Sequence, residues 1–292
     1  MEQRVKQAKA DKVERQLLPG QSVALLKELH LVGRDGALHA DSLRKLKQVN
    51  HLVQLLRPAL EDIRARYKAP ELLDAGAGNA YFGFVLYELF LRDEGAADAL
   101  TCVEPRADLC ERAKVRAARL GYARLRVVQA TLEDAAKPGG ALPERLHLVT
   151  ALHACDTATD DALALAVRRN ADHVAVVPCC QAEVSAQLKE SPRAAPAPWP
   201  ELWSHPLHRR ELGAHLTNVI RALTLEAHGY VVTVTELTGW EHSLKNELIL
   251  GRRVHKENYP AKQRLRALLA ATGVRPKVVR ELSPELLEAA PA

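Results

Sequence analysis

Aromatic residues are scarce: Phe, Trp and Tyr make up 4% of the 292 residues, and there is a single methionine. Any core must therefore be built from Leu, Val and Ala. A hydrophobic content of 47% against 26% charged is enough for one and argues against disorder. Five cysteines, an odd number in a long chain, argue against a disulfide framework. The charged start Met1-Glu2-Gln3-Arg4-Val5-Lys6 contains no apolar leader. The longest charge-free run, Ala75 to Tyr87, is 13 residues and too short to cross a bilayer as a helix. The expectation is a soluble, intracellular, cytoplasmic protein with no membrane partner.

Charge of one sign is not spread evenly. Residues 1–68 carry 14 Lys/Arg against 8 Asp/Glu, residues 69–251 carry 18 against 24, and residues 252–292 carry 9 against 4. An acidic body thus has a basic segment at each end. Basic flanks hold polyanions by neutralising phosphates, an attraction blind to sequence. They are equally the solvated faces of ordinary helices, so charge alone leaves nucleic-acid contact open.

The first 68 residues read as helices. Pro19-Gly20 breaks the opening segment, Ser22 is placed to cap a short helix through Leu31, and Gly33 to Gly36 form a turn. Asp41 is the expected cap of a long helix, because Leu43, Leu46, Val49, Leu52, Val53, Leu56, Leu60 and Ile63 recur at three- and four-residue steps. Pro58 is expected to kink or end it. From Glu71 the pattern changes to short apolar runs alternating with helical stretches. Strands are expected at Glu71–Asp74, Leu100–Glu104, Leu125–Ala130, Leu146–Leu152, Val174–Pro178, Val231–Leu237 and Glu247–Arg253. Helices are expected at about Tyr81–Arg92, Arg106–Leu120, Thr159–Arg169 and Arg210–Gly229. Strand–helix–strand spacing of this kind implies right-handed parallel crossovers. The fold class is α/β: a doubly wound, seven-stranded Rossmann-like sheet, mostly parallel with an antiparallel strand, plus an N-terminal helical cap. The implied organisation is a basic helical segment at 1–68, a cofactor-binding domain at 69–254 and a basic helical tail at 255–292. A Pro-rich insertion at 185–206 contains Pro192, Pro196, Pro198, Pro200 and Pro206 with Trp199 and Trp203. It follows a strand's carboxyl end, the edge at which such sheets bind ligands, and reads equally as a lid or as an inert insertion.

The sharpest local signal is Asp74-Ala75-Gly76-Ala77-Gly78-Asn79-Ala80-Tyr81, in which an acid ends an apolar strand and alternate glycines precede a helix. Glycines let the backbone turn tightly beside a ligand, and the new helix offers free N–H groups. A nicotinamide fingerprint would place a third glycine where Tyr81 stands, so an oxidoreductase ranks far behind. Glu104 ends the second strand, where a carboxylate accepts hydrogen bonds from ribose hydroxyls. Thr131 and Leu132 follow the third strand, where an adenine would be bracketed. Together these pieces imply an adenosine-bearing cofactor.

On these motifs residues 69–254 resemble the class I S-adenosylmethionine-dependent methyltransferases. Leu152-His153-Ala154-Cys155-Asp156 followed by Val177-Pro178-Cys179-Cys180 is similar to a narrower branch, as is Trp240-Glu241-His242-Ser243-Leu244-Lys245-Asn246-Glu247-Leu248. That branch includes the glutathione S-transferase C-terminal-domain-containing protein and the methyltransferase-like 25 group, with related patterns in tRNA acceptor-stem 2′-O-methyltransferases. The branch often carries Gly where this chain has Asp156. The resemblance implies S-adenosyl-L-methionine as cofactor. Asp74, Ala75, Gly76, Gly78 and Asn79 would serve its methionine end, Glu104 its ribose, and Thr131 and Leu132 its adenine. Leu152 and His153 would lie beside the sulfonium. An Asn-Pro-Pro-Tyr motif for base amino groups is absent from the fourth strand, which disfavours an exocyclic-amine target.

His153, Cys155, Cys179 and Cys180 tempt a zinc reading. The glutamate of zinc deaminases is missing and adjacent cysteines chelate one tetrahedral ion poorly, so no metal is expected. Methyl transfer needs an aligned nucleophile, a dry site and removal of a proton from a weakly acidic acceptor. Asp156, Glu241 and Lys245 are the candidates for that chemistry, with His242 and Asn246 as positioning groups. The leading expectation is RNA modification, of tRNA or rRNA, with RNA held by the basic segments, Arg264 and Arg266 included. The alternatives are a protein or small-molecule methyltransferase and a cofactor-binding module without transfer activity.

Overall fold

The computed structural model describes residues 18–31, 40–92, 97–152, 154–178, 180–190, 195–236 and 247–288. They form a seven-stranded sheet of order β3-β2-β1-β4-β5-β7-β6. The strands are β1 (Glu71–Ala75), β2 (Ala99–Glu104), β3 (Leu125–Gln129), β4 (Leu148–Ala151), β5 (His173–Val176), β6 (Tyr230–Glu236) and β7 (Glu247–Arg253). Every expected strand is found, with ends within two residues of those read from the sequence. The pairs β1–β2, β2–β3 and β4–β5 are parallel, whereas β7 runs antiparallel to both β5 and β6. The sheet is thus doubly wound and Rossmann-like, with the antiparallel strand that the short β6–β7 connection requires.

The chain divides into two compact units, one comprising the described residues up to Leu142 and the other those from Pro143 on. In the first unit α1 (Val23–Glu28) is capped by Ser22, whose Oγ accepts from the Leu25 N–H at 3.1 Å. Ser22 is fixed in turn by Glu88, whose Oε2 accepts from its N–H at 3.0 Å. The long helix α2 (Ala40–Arg66) begins before Asp41, so Asp41 lies in its first turn instead of capping it. Pro58 stands inside α2 without ending it. The buried stripe Leu46, Leu52, Val53, Leu56, Leu60 and Ile63 continues on both sides of the proline, and this packing outweighs one missing backbone hydrogen bond. Helix α3 (Tyr81–Leu86) runs on into a π turn at Tyr87–Leu91; α4 (Ala107–Leu120) follows β2 and α5 (Leu132–Ala136) follows β3. The scarce aromatics gather here, Tyr87 and Tyr122 stacking at 4.3 Å between ring centroids.

In the second unit α6 (Thr157–Arg168) follows β4, and α7 (Glu183–Glu190) follows β5. Within the Pro-rich stretch Trp199–Trp203 form a 3-10 turn leading into α8 (Pro206–Ala227). Trp203 is 1% exposed and Trp199 46%, so one tryptophan is a packing residue and the other meets solvent. The C-terminal helices are α9 (Tyr259–Thr272) and α10 (Lys277–Leu282). No helix among the described residues is long and apolar enough to cross a membrane.

The second unit also buries a complete ion pair. Arg221 of α8 is 0% exposed and donates from Nε to Asp160 Oδ1 of α6 at 2.7 Å. Its other nitrogens reach Asn218 Oδ1 at 3.3 Å and the Asp156 carbonyl at 2.7 Å. Burial pushes the Asp160 carboxyl up, to about 6, against the downward pull of Arg221. Removing one partner of such a pair strands the other charge in the interior. Arg221→Ala is therefore expected to cost on the order of 3–5 kcal/mol in urea unfolding. The double replacement Arg221→Met with Asp160→Leu should recover most of that loss.

Candidate active site

Strand β1 ends in Asp74 and Ala75, both buried. The chain then turns through Gly76 (φ 65°) and Gly78 (φ 57°) before α3 begins. A Cβ on Gly78 would find only Arg106 Nη2 at 3.8 Å, so glycine is needed there for its torsion and not for space. The loop is stitched to β2 by the Ala77 N–H, which donates to the Val103 carbonyl at 2.9 Å. Asp74 points inward: a Cβ on Gly83 of α3 would lie 3.4 Å from its Oδ2 and 2.8 Å from Cys102 Sγ.

Glu104 braces this turn. It is 3% exposed; Oε2 accepts from the Gly78 N–H at 2.8 Å, and Oε1 accepts from the Arg106 N–H at 3.1 Å and its Nε at 2.6 Å. Burial alone would raise its pKa. The Arg106 side chain and N–H, joined by the Gly78 N–H, outweigh burial and hold the carboxyl below the usual carboxylate range. A carboxylate that stays ionised, with a lone pair left on Oε2, has the chemistry a ribose hydroxyl requires. The sequence points to Glu104 but not to its clamp; the only signal for Arg106 is its place at the start of the following helix. Asn79 has an exposed side chain, and its carbonyl accepts from Arg116 Nη1 of α4 at 3.2 Å. Thr131 caps α5, its Oγ1 accepting from the Asp134 N–H at 3.1 Å, which leaves half-exposed Leu132 as the apolar surface at that strand end.

In the second unit a loop follows β4. Leu152 is buried beside the strand end, whereas His153 lies outside the described residues. Asp156 adopts φ 49° and ψ −121°, a backbone conformation that suits glycine. Its surroundings enforce that geometry. The Asp156 N–H donates to the Cys180 carbonyl at 3.2 Å, and Oδ1 accepts from the Ala182 and Glu183 N–H groups at 2.9 and 3.2 Å. Arg221 holds the Asp156 carbonyl, and Thr159 Oγ1 holds that of Ala154 at 2.7 Å. Among the described residues only Oδ1 of the Asp156 carboxylate is engaged. Arg221 lies 65 residues along the chain from Asp156, and no sequence pattern announces the pairing.

Glu241, His242, Lys245 and Asn246 lie outside the described residues. Of the four residues suggestive of zinc, His153 and Cys179 also lie outside them; among the described residues no cluster of three or more His, Cys, Asp or Glu could hold a metal ion. Cys102 and Cys110 are buried, burial pushing both thiols up, and Cys110 Sγ lies 3.1 Å from the Glu104 carbonyl.

Residues 44–187 match the sequence model of a methyltransferase domain family. This is the fold of the class I S-adenosylmethionine-dependent methyltransferases. S-adenosylmethionine is the cofactor of such a methyltransferase, and the clamped Glu104 carboxylate beside the glycine turn fits it. No curated protein sequence matches the chain. Similar solved structures include an rRNA methylase from Streptococcus thermophilus, at 10% identity over 70% of this chain and 96% of that one, with a TM-score of 0.42. A geranyl diphosphate methyltransferase in complex with GPP and sinefungin is 16% identical over 69% and 78%, with a TM-score of 0.43. TrmK of M. capricolum with S-adenosyl-homocysteine is 10% identical over 68% and 70%, with a TM-score of 0.38.

Four outcomes follow for these residues. Replacing Glu104 by Ala should weaken S-adenosylmethionine binding by about ten- to a hundredfold in calorimetry, on the order of 1.4–2.7 kcal/mol. The pH dependence has a definite sign. Because the folded pKa of Glu104 is lowered, its stabilising contribution is present above the unfolded carboxylate value of about 4.3. It is lost as pH falls through the lower folded value, so the stability gap between wild type and Glu104→Gln should hold at pH 5 and shrink below about pH 4. Asp156→Ala keeps the torsional strain and should cost about 1 kcal/mol in thermal unfolding through the lost helix cap. Asp156→Gly, freed of the torsional cost, should unfold at a higher temperature than Asp156→Ala.

Proposed function

We propose that the protein transfers methyl groups from S-adenosylmethionine to RNA, tRNA or rRNA, in the cytoplasm. The observation that carries this reading is the charge partition, an acidic body between two basic ends. In the C-terminal segment Arg264, Lys277 and Arg280 pair with Glu226, Asp161 and Glu183, while Arg252, Lys256 and Arg266 are exposed. The latter are the side chains of that segment offered to phosphates. The Leu-His-Ala-Cys and Pro-Cys-Cys motifs add support, because similar patterns occur in tRNA acceptor-stem 2′-O-methyltransferases.

The bound cofactor supplies a methyl group on positively charged sulfur. The chain has to hold it, orient the acceptor and take up a proton. In this proposal Asp74, Ala75, Gly76, Gly78 and Asn79 form the methionine-side wall, Glu104 anchors the ribose, and Thr131 and Leu132 border the adenine. Leu152 and His153 flank the reacting end. The unengaged Oδ2 of Asp156 accepts the proton of a ribose hydroxyl, assisted by Glu241 and Lys245, a general-base role that calls for an ionised carboxylate near the acceptor.

The test is incubation of the purified protein with methyl-labelled S-adenosylmethionine and an extract from cells lacking it, followed by separate ribonuclease and protease digestion. Label released by ribonuclease alone is the expected result. Label released by protease alone would replace RNA with a protein acceptor and direct attention to exposed Trp199. Label in neither macromolecular fraction would defeat the RNA reading.

A further inference from the structure

A groove between α1 and α4 of the first unit is lined by Lys27, Glu28 and His30 on one side and Arg112, Arg116 and Arg119 on the other, enclosing about 390 Å³. Val115, 41% exposed, lies between the arginines and is also part of the lining, together with Glu111. The arginines share one face because their spacing of four and three residues returns the helix to the same side. Arg112 and Arg119 are about 10 Å apart along the axis at 1.5 Å per residue.

The lining has more positive charge than its own carboxylates balance. Glu28 stands 3.7 Å from Arg119, and Arg112 is bonded to Asp108 outside the groove at 2.7 Å. Lys27 and His30 are exposed beside them. Both contacts are surface pairs that an incoming anion can replace at little cost. Arg116 is the fixed element. It is 8% exposed, its Nε donates to the Glu28 carbonyl at 2.9 Å, and its guanidinium lies 5.4 Å from the centroid of the Phe84 ring. Burial lowers its pKa; Tyr81 and Glu28 oppose that, while like charge on Arg112 and Arg119 adds to it. An anion in the groove would relieve that repulsion.

Arg116 also connects the groove to the cofactor loop, since Nη1 donates to the carbonyl of Asn79, the residue after Gly78. A ligand seated against Arg112 and Arg119 would therefore lie next to the loop that begins the cofactor half-site. We propose that the α1–α4 groove is a phosphate-backbone site that seats the RNA strand beside this loop. The inference rests on the RNA reading above and adds the arginine face of α4, in the acidic middle of the chain, to the basic N-terminal segment that supplies Lys27 and His30. Phosphodiester oxygens suit it because two guanidinium forks and an ammonium can each meet a phosphate, with Val115 offering an apolar floor.

The test uses the full chain, a fluorescein-labelled 20-nucleotide RNA of mixed sequence and anisotropy titrations at several salt concentrations. The triple variant Lys27→Gln, Arg112→Gln, Arg119→Gln leaves the buried Arg116 in place; its thermal unfolding and S-adenosylmethionine calorimetry report whether it folds as wild type. The expected result is about tenfold weaker RNA binding and a salt slope about two smaller, at roughly 0.7 for each phosphate no longer neutralised, with cofactor affinity unchanged. Glu111→Lys, which adds a cation, should tighten binding and steepen the slope. Unchanged RNA affinity and slope in the triple variant, with methyl label still entering RNA, would overturn the groove while the RNA reading stands. A wild type that neither binds nor methylates RNA would overturn both, and selective loss of binding to an acidic peptide instead would assign the groove to a protein partner.

Discussion

Glu104 joins three pieces of backbone at one carboxylate. It ends β2, takes the Gly78 N–H of the turn after β1 and takes the Arg106 N–H at the start of α4. The turn depends on this bond because Gly76 and Gly78 are held in left-handed torsions that a free loop would not keep. The start of α4 depends on it because Arg106, at the N-cap position, has no side-chain cap of its own. Burial works against the charge, and the donors around it win, so the group stays ionised where a neutral acid would be useless to a ribose. The glycine turn and the start of the helix that carries the basic groove thus share one anchor.

The second unit follows a different logic. There the constraint is a residue whose torsion suits glycine, held by bonds from several directions. Asp156 fits because its side chain caps α7 and its carbonyl is taken by Arg221, a guanidinium with no exposure to water. An acid at this position thus gains a helix cap at the cost of torsional strain. Over-determination of this kind keeps a loop in one shape.

Much of the fold was legible because its signals are local. Short apolar runs separated by helical stretches placed all seven strands, and the Asp74–Gly78 pattern with Glu104 marked the glycine turn and the acid that ends the next strand. The misses are local rules overruled by packing. Asp41 is a good cap by type, yet α2 starts before it. Pro58 is a helix breaker by type, yet the buried stripe running past it carries α2 on to Arg66. Glu241 and Lys245, read from a motif, lie outside the described residues.

Residue order alone carries the succession of strands and helices, the glycine turn, the acid that follows it and the uneven distribution of charge. These depend on residues near one another in the chain, where periodicity and residue type act directly. Only the tertiary structure decided that the Gly78 N–H meets Glu104, that Arg221 braces Asp156, and that Lys27 and Arg119 face one groove. Each of those pairings joins residues far apart in the chain, 26 positions in the first case and 65 in the second. Which side chains meet across such distances is set by how helices pack on the sheet, information no local pattern contains.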